Sequence, residues 1–247
     1  MGAPLLELRG LEANYPDGTA ALRGLSLVSR GPAERLAVLG ANGAGKSSLF
    51  LAIAGFLAFR GSASVLGRAV EPAGLAELRR KVGFVFEDPG DQLFLETLGD
   101  DVAFGPRNAG LAEPEVVARV REALAAVGLA GFEERSPRHL SSGERRLAAI
   151  ATALALRPEA LVLDEPTANL DARARRRVVG TLARFRGGLI LLTHDHEAAR
   201  ELADRAIVLA EGRIVCDAPV STALADPLAR AALGLDESLF FDNLSPK

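Results

Sequence analysis

The segment Gly40-Ala41-Asn42-Gly43-Ala44-Gly45-Lys46-Ser47 follows directly on the unbroken apolar run Leu36-Ala37-Val38-Leu39 and leads straight into a helix-like stretch. This juxtaposition restricts the fold more than any other feature of the chain. Such a run suits a strand buried on both faces of a parallel sheet, and a G-x-x-x-x-G-K-S turn between strand and helix is built to cradle phosphate. The glycines let backbone N–H groups turn inward around phosphate oxygens, and the helix adds the positive end of its dipole. Lys46 is then placed for the β- and γ-phosphates, and the Ser47 hydroxyl for magnesium. A glycine-rich turn that binds nothing needs neither flank, and a dinucleotide fold leaves Lys46-Ser47 without a role.

Further apolar runs at Val82 to Phe86, Leu161 to Leu163, Leu189 to Leu192 and Ala206 to Leu209 predict more buried strands. Helix-like segments at Ala172 to Phe185 and His196 to Ala203 alternate with the last of them, which defines an α/β core. Short strands at Leu5 to Leu8 and Leu25 to Val28, with Tyr15-Pro16-Asp17-Gly18 between them, predict a β-rich entry segment. From about Gly99 to Arg157 the pattern is helical, with helices expected at Pro114 to Val127 and Ser142 to Leu156, and the tail from Val220 is expected to be partly helical. One chain with two lobes is expected: residues 1–98 and 158–247 as the core, and about 99–157 as a helical insertion.

Of the 247 residues, 49% are hydrophobic and 25% charged, enough for a sizeable core. The net charge of -3 argues against a nucleic-acid partner or a polybasic membrane anchor. A single cysteine, Cys216, excludes an intramolecular disulfide and fits a reducing compartment. Glu7 and Arg9 interrupt the N-terminus where an export signal needs an apolar stretch. The uncharged stretch Ser47 to Phe59 falls short of the roughly 18 residues that cross a bilayer, so membrane attachment is expected through a partner.

Leu161-Val162-Leu163-Asp164-Glu165 sets two carboxylates at the end of a buried strand, where open α/β sheets bind their ligands. Asp164 is the candidate magnesium ligand, and Glu165 the candidate base that orients and deprotonates an attacking water. Leu140-Ser141-Ser142-Gly143-Glu144 precedes a helix, where a serine is by itself only a cap.

Together these motifs make the chain resemble an ABC-type ATPase, a P-loop NTPase with a parallel-sheet core, an N-terminal antiparallel β segment and a helical insertion subdomain. The likeness covers essentially the whole chain. It implies that Asn42, Gly43, Gly45, Lys46, Ser47 and Ser48 hold the nucleotide and that Tyr15 stacks on adenine, although a tyrosine at this turn also suits a core-covering role. It implies that Ser141, Gly143 and Glu144 reach the nucleotide of a second copy in trans, so that hydrolysis needs a dimer. Since one polypeptide carries every group of one site, a homodimer is expected. Asn169-Leu170-Asp171 resembles the loop linking the two sites, and His194 of Thr193-His194-Asp195 the switch histidine that contacts the γ-phosphate. His139 and His196 are expected in structural or surface roles, and Arg173, Arg175, Arg176 and Arg177 on a solvated helix face.

Glu87 stands where the family has glutamine; as a carboxylate it keeps an oxygen for magnesium but loses the N–H donor toward water. Ser142 and Glu144 depart from the family's glycine and glutamine. Asp88-Pro89-Gly90-Asp91-Gln92-Leu93-Phe94 and Asp101 to Pro106 are similar to the energy-coupling factor importers, in which the Asp-Gln-Leu-Phe part begins a short extra helix beside the groove for the membrane subunits. That likeness implies a Mg-ATP hydrolase peripheral to the cytoplasmic membrane face, docked through the Glu87 to Phe94 region. Its short tail resembles dedicated cobalt, nickel or biotin systems, with a metal-ion importer favoured. A soluble ABC-type switch needs a coiled-coil insertion or a second core that this length does not hold.

Overall fold

The structure, a computed structural model, describes residues 2–235. Two antiparallel strands open the chain, β1 (Leu6–Asn14) and β2 (Ala20–Val28), each longer than its sequence pattern predicts. The reason is a bulge: register shifts between Leu8 and Leu11, and Gly10 and Gly24 adopt φ of 57° and 78°. The extra residue lets Leu8 and Leu11, three apart, face the same core and so hides the two-residue period.

β3 (Arg35–Leu39) enters a second sheet and is followed by α1 (Lys46–Ile53). β4 (Arg60–Val65) and β5 (Arg68–Ala69), not expected from sequence, extend the first sheet to the order β2-β1-β4-β5. α2 (Leu75–Lys81) leads into β6 (Val82–Val85), and three helices follow: α3 (Leu98–Asn108), α4 (Glu113–Ala126) and α5 (Ser142–Leu154). Then come β7 (Ala160–Asp164), α6 (Ala172–Arg184), β8 (Gly188–Thr193), α7 (His196–Leu202), β9 (Arg205–Ala210), β10 (Arg213–Pro219), α8 (Val220–Ala223) and α9 (Pro227–Ala232). The rest of the tail lies outside the described residues.

The second sheet has the order β10-β9-β3-β8-β7-β6, parallel except for its β10 edge. Alternate residues of each central strand serve different cores. Val38, Val162, Ile190 and Leu192 pack with α1 and the β1–β2 sheet, whereas Leu161, Leu163, Leu189 and Leu191 pack with α5 and α6. With both faces covered, such strands read as continuous apolar runs. No helix among the described residues is long and apolar enough to cross a membrane.

The Asp91-Gln92-Leu93-Phe94 segment differs from expectation, because it begins no helix. One 3-10 turn covers Pro89–Asp91, and the next helix starts only at Leu98, capped by Thr97. Gln92 is instead spent on tying strand to helix: its Nε2 donates to Phe84 O, Ala149 O and Thr152 Oγ1 (2.6 Å), and its Oε1 accepts from Phe86 N.

Arg35 performs a similar task at the opposite end of the sheet. Its guanidinium donates to Leu182 O, Phe185 O and Leu202 O at 3.0, 3.0 and 2.6 Å, so that it ties together carbonyls at the C-terminal ends of α6 and α7, of which Leu182 O also accepts from Phe185 N. Arg35→Met leaves those acceptors without a charged donor and is expected to cost about 2–4 kcal/mol of unfolding free energy in a denaturant titration.

Candidate functional site

The loop after β3 takes its shape from glycines that no other residue replaces without strain. Gly43 and Gly45 have φ of 79° and 106°, and a Cβ on Gly45 would lie 2.9 Å from Ala21 O. Lys46 arches back over this loop, its Nζ donating to Gly40 O (2.9 Å) and Ala41 O (3.3 Å). It also lies 3.3 Å from Glu165 Oε1, with both side chains 6% exposed.

Glu165 follows β7 with φ of 45°, a left-handed conformation unusual for a residue with a side chain. Its N–H bonds Leu192 O of the neighbouring strand, which turns the carboxylate toward the end of β8. There it accepts from Thr193 Oγ1 (2.9 Å) and His194 N (3.1 Å), and His194 Nδ1 lies 2.9 Å from Oε1. Thr193, fully buried, was not anticipated as part of this group. A carboxylate held this way can accept a proton from water once a substrate draws Lys46 away.

Asp164, at the end of β7, is 3% exposed and its Oδ1 has no partner. Burial pushes its carboxyl up to about 6; the Ser47 hydroxyl opposes that rise, while Glu87 and Glu165 add to it. Among the described residues no cluster of three or more His, Cys, Asp or Glu forms a metal cage. Magnesium does not require one, since it takes one or two protein oxygens and completes its shell with phosphates and waters. The orphaned Asp164 oxygen beside Ser47 fits that requirement.

A cleft of about 690 Å3 brings together Tyr15, Asn42, Lys46, Glu87, Glu165 and His194, with Gly43, Gly45, Ser47 and Ser48 as its floor. The Tyr15 hydroxyl is 2.7 Å from Ser48 Oγ, leaving the ring half-exposed at the rim. An adjoining cleft of about 490 Å3 shares Ser47, Glu87 and Asn169 and adds Asp164, Ser142 and Arg146. Ser141, Gly143 and Glu144 do not line the first cleft. Ser141 instead caps α5 in a capping box, its N–H and hydroxyl both donating to Glu144 Oε2 (2.8 and 2.7 Å). Gly143 allows α5 to approach α6, since a Cβ there would lie 2.6 Å from that of Ala174.

His139 is exposed and His196 half-buried, both away from the cleft lining. Arg175 departs from the solvated-face expectation: its guanidinium holds both Asp195 oxygens at 2.7 and 3.0 Å and reaches Glu201. Burial alone would raise the Asp195 carboxyl, but bonds from Arg175, Ala198 N and Thr167 hold it at about 2.

A phosphate-cradling loop, a buried lysine and a carboxylate braced by a threonine and a histidine define a P-loop nucleotide hydrolase. Residues 25–168 match the family model described as ABC transporter. The chain is 46% identical to the energy-coupling factor transporter ATP-binding protein EcfA of Methanothermobacter thermautotrophicus, over 86% of this chain and 70% of that one. Its fold is similar to cbiO1 from Clostridium perfringens, part of the ABC transporter complex cbiONQ, with a TM-score of 0.80, 31% identity and coverage of 96% and 97%. It is also similar to the ATP-binding cassette MJ0796 in a dimeric post-hydrolysis state bound to ADP and Pi, with a TM-score of 0.77, 26% identity and coverage of 87% and 98%. The chain therefore belongs to the ABC transporter family, as an ATP-binding subunit of the energy-coupling factor type that couples ATP hydrolysis to transport.

Because the Asp164 carboxyl lies at about 6 in the folded chain and near its ordinary 3.8 when unfolded, its contribution is complete at low pH and is lost as pH rises through about 6. At full ionisation the loss approaches about 3 kcal/mol. In metal- and nucleotide-free protein, Asp164→Asn should therefore gain relative stability between pH 5 and pH 8 by about 1 kcal/mol, read from denaturant midpoints.

Proposed function

We propose that this subunit binds Mg-ATP in the Tyr15–His194 cleft, closes as a homodimer and hydrolyses ATP to drive an importer of cobalt or nickel ions. The observation that supports the hydrolytic reading most directly is the Glu165 carboxylate, buried between Lys46, Thr193 and His194. In this reading Tyr15 stacks on adenine, the backbone from Asn42 to Ser48 surrounds the phosphates, and Lys46 exchanges Glu165 for phosphate oxygens. Glu165, released from Lys46, takes a proton from the attacking water, while His194 donates toward the γ-phosphate. Ser47, Asp164 and Glu87 would hold magnesium, which when bound supplies charge neutralisation at the transferring phosphoryl group. Ser141 and Gly143 complete the partner copy's site, with Glu144 keeping Ser141 in place. Residues 1–98 and 158–247 act as the core lobe, and about 99–157 as the helical lobe that carries Ser141.

Membrane subunits dock, in this reading, beside the Glu87 to Phe94 region, which places the chain peripherally at the cytoplasmic membrane face. The supporting feature is an apolar groove of about 280 Å3 lined by Phe56, Phe86, Phe94 and Phe104. Phe94 and Phe104 stack edge to face with centroids 5.3 Å apart and are 59% and 46% exposed, a large apolar area for an uncovered surface. The Asp101 carboxylate lines the same groove with Oδ2 unpartnered.

Glu165→Gln should bind ATP and remain dimeric while hydrolysing it at least about 100-fold more slowly; turnover at the normal rate would remove Glu165 as the base. Phe94→Ala with Phe104→Ala should keep basal hydrolysis but lose copurification with small integral-membrane proteins. Vesicles holding the intact complex should take up radiolabelled cobalt or nickel in preference to biotin, and biotin uptake alone would overturn the cargo assignment.

A further inference from the structure

Arg146 lies one turn into α5, five residues beyond Ser141, and is 4% exposed. A guanidinium does not lose its proton in a protein, so this position buries a full charge that must be compensated. Nη1 donates to the Phe86 carbonyl at 2.9 Å, and Nε has no partner. The carboxylates that face it are those of Glu87, Asp88, Asp164 and Glu165. Glu87, Asp164 and Ser47 line one cleft with Arg146, and the Asp164 Oδ1 there is likewise unpartnered. Lys46, the other buried cation of the site, is engaged by Glu165.

We propose that Arg146 is a positioning residue, the counter-charge that makes a carboxylate at Glu87 workable beside Asp164 and that fixes the Phe86-Glu87 turn to α5. The inference rests on the Mg-ATP reading of this site. Four carboxylates converge here, and Lys46 pairs with only one of them, Glu165. A glutamine at position 87 would add no charge beside the buried Asp164, whereas the exposed Glu87 does, and Arg146 is the permanent cation between these groups and α5. Arg146 acts without a direct ion pair, leaving both carboxylates free to meet a divalent ion. Its bond to Phe86 O also has a mechanical consequence. Five residues of helix separate Arg146 from Ser141 by about 7 Å, so a displacement of Ser141 on contact with a partner copy is carried to the Glu87 backbone.

The test uses the full chain carrying Arg146→Met or Arg146→Lys, each alone and combined with Glu87→Gln. Steady-state hydrolysis is measured together with magnesium titrations of fluorescent ATP-analogue binding. Arg146→Met should lower kcat about tenfold or more with KM for ATP within about twofold. It should also lower the magnesium concentration at half-saturation, because a repelling cation has gone. Adding Glu87→Gln should recover most of the lost kcat. Arg146→Lys should keep the wild-type magnesium midpoint with a smaller kcat deficit, also relieved by Glu87→Gln. A packing role alone predicts the opposite signature: a raised magnesium midpoint and a kcat loss that Glu87→Gln does not relieve, and either result overturns the proposal. Should Arg146→Met not fold, the Arg146→Lys pair decides by whether Glu87→Gln relieves its deficit. Absence of magnesium-dependent nucleotide binding in the unmodified chain would defeat the Mg-ATP reading itself, before any variant is compared.

Discussion

Burial of β3, β7 and β8 on both faces governs where chemistry can occur in this molecule. A charge on any of these strands would face an apolar core without a partner, so polar groups are confined to the strand ends. The parallel register then aligns those ends: Leu39 pairs with Thr193 and Asp164 with Leu192. Gly40 to Ser47, Asp164-Glu165 and Thr193-His194, far apart in sequence, are thereby delivered to one edge. Glu165 needs only a left-handed backbone turn to reach Thr193 and His194 from its own strand.

The Lys46–Glu165 contact shows how this edge is poised. Two opposite charges buried together are stable mainly because separating either alone would be costly. In the proposed mechanism a phosphate that attracts Lys46 also exposes the Glu165 carboxylate, so that substrate binding and uncovering of the base become one event. Thr193 and His194 N retain Glu165 through the exchange, since their bonds do not depend on Lys46.

How legible each feature was follows from how local its cause is. The loop at Gly40, the central strands of the parallel sheet and helices α1, α4, α5, α6 and α7 were readable because phosphate chemistry and apolar periodicity act over a few consecutive residues, whereas α2 and β10 were not read. β1 and β2 were read short because the Gly10 and Gly24 bulge breaks the two-residue period that a strand reading depends on. β5 has two residues and leaves almost no pattern. Thr193 and Arg146 were missed for a different reason: their meaning lies in partners tens of residues away. Arg146 did leave one trace, an arginine flanked by Leu147 and Ala149 on the buried side of an amphipathic helix. Arg175 was misread because four arginines in a short helix look like solvent chemistry until Asp195 is placed beside one of them.

The two acidic departures from the family pattern have different physical status, although both exchange an amide for a carboxylate. Glu144 is half-buried and its charge is answered locally by the Ser141 N–H and hydroxyl, with Arg135 and Arg177 adding attraction at longer range. A capping box accepts glutamate as readily as glutamine, so the helix entry and the placement of Ser141 are preserved. Glu87 has no such local answer. Although exposed, it lines a cleft with the buried Asp164, and its negative charge adds to the burial that already penalises ionisation of Asp164. The same chemical substitution is therefore answered within its own helix turn at one position, whereas at the other its charge falls on a buried neighbour, and the counter-charge proposed above comes from α5.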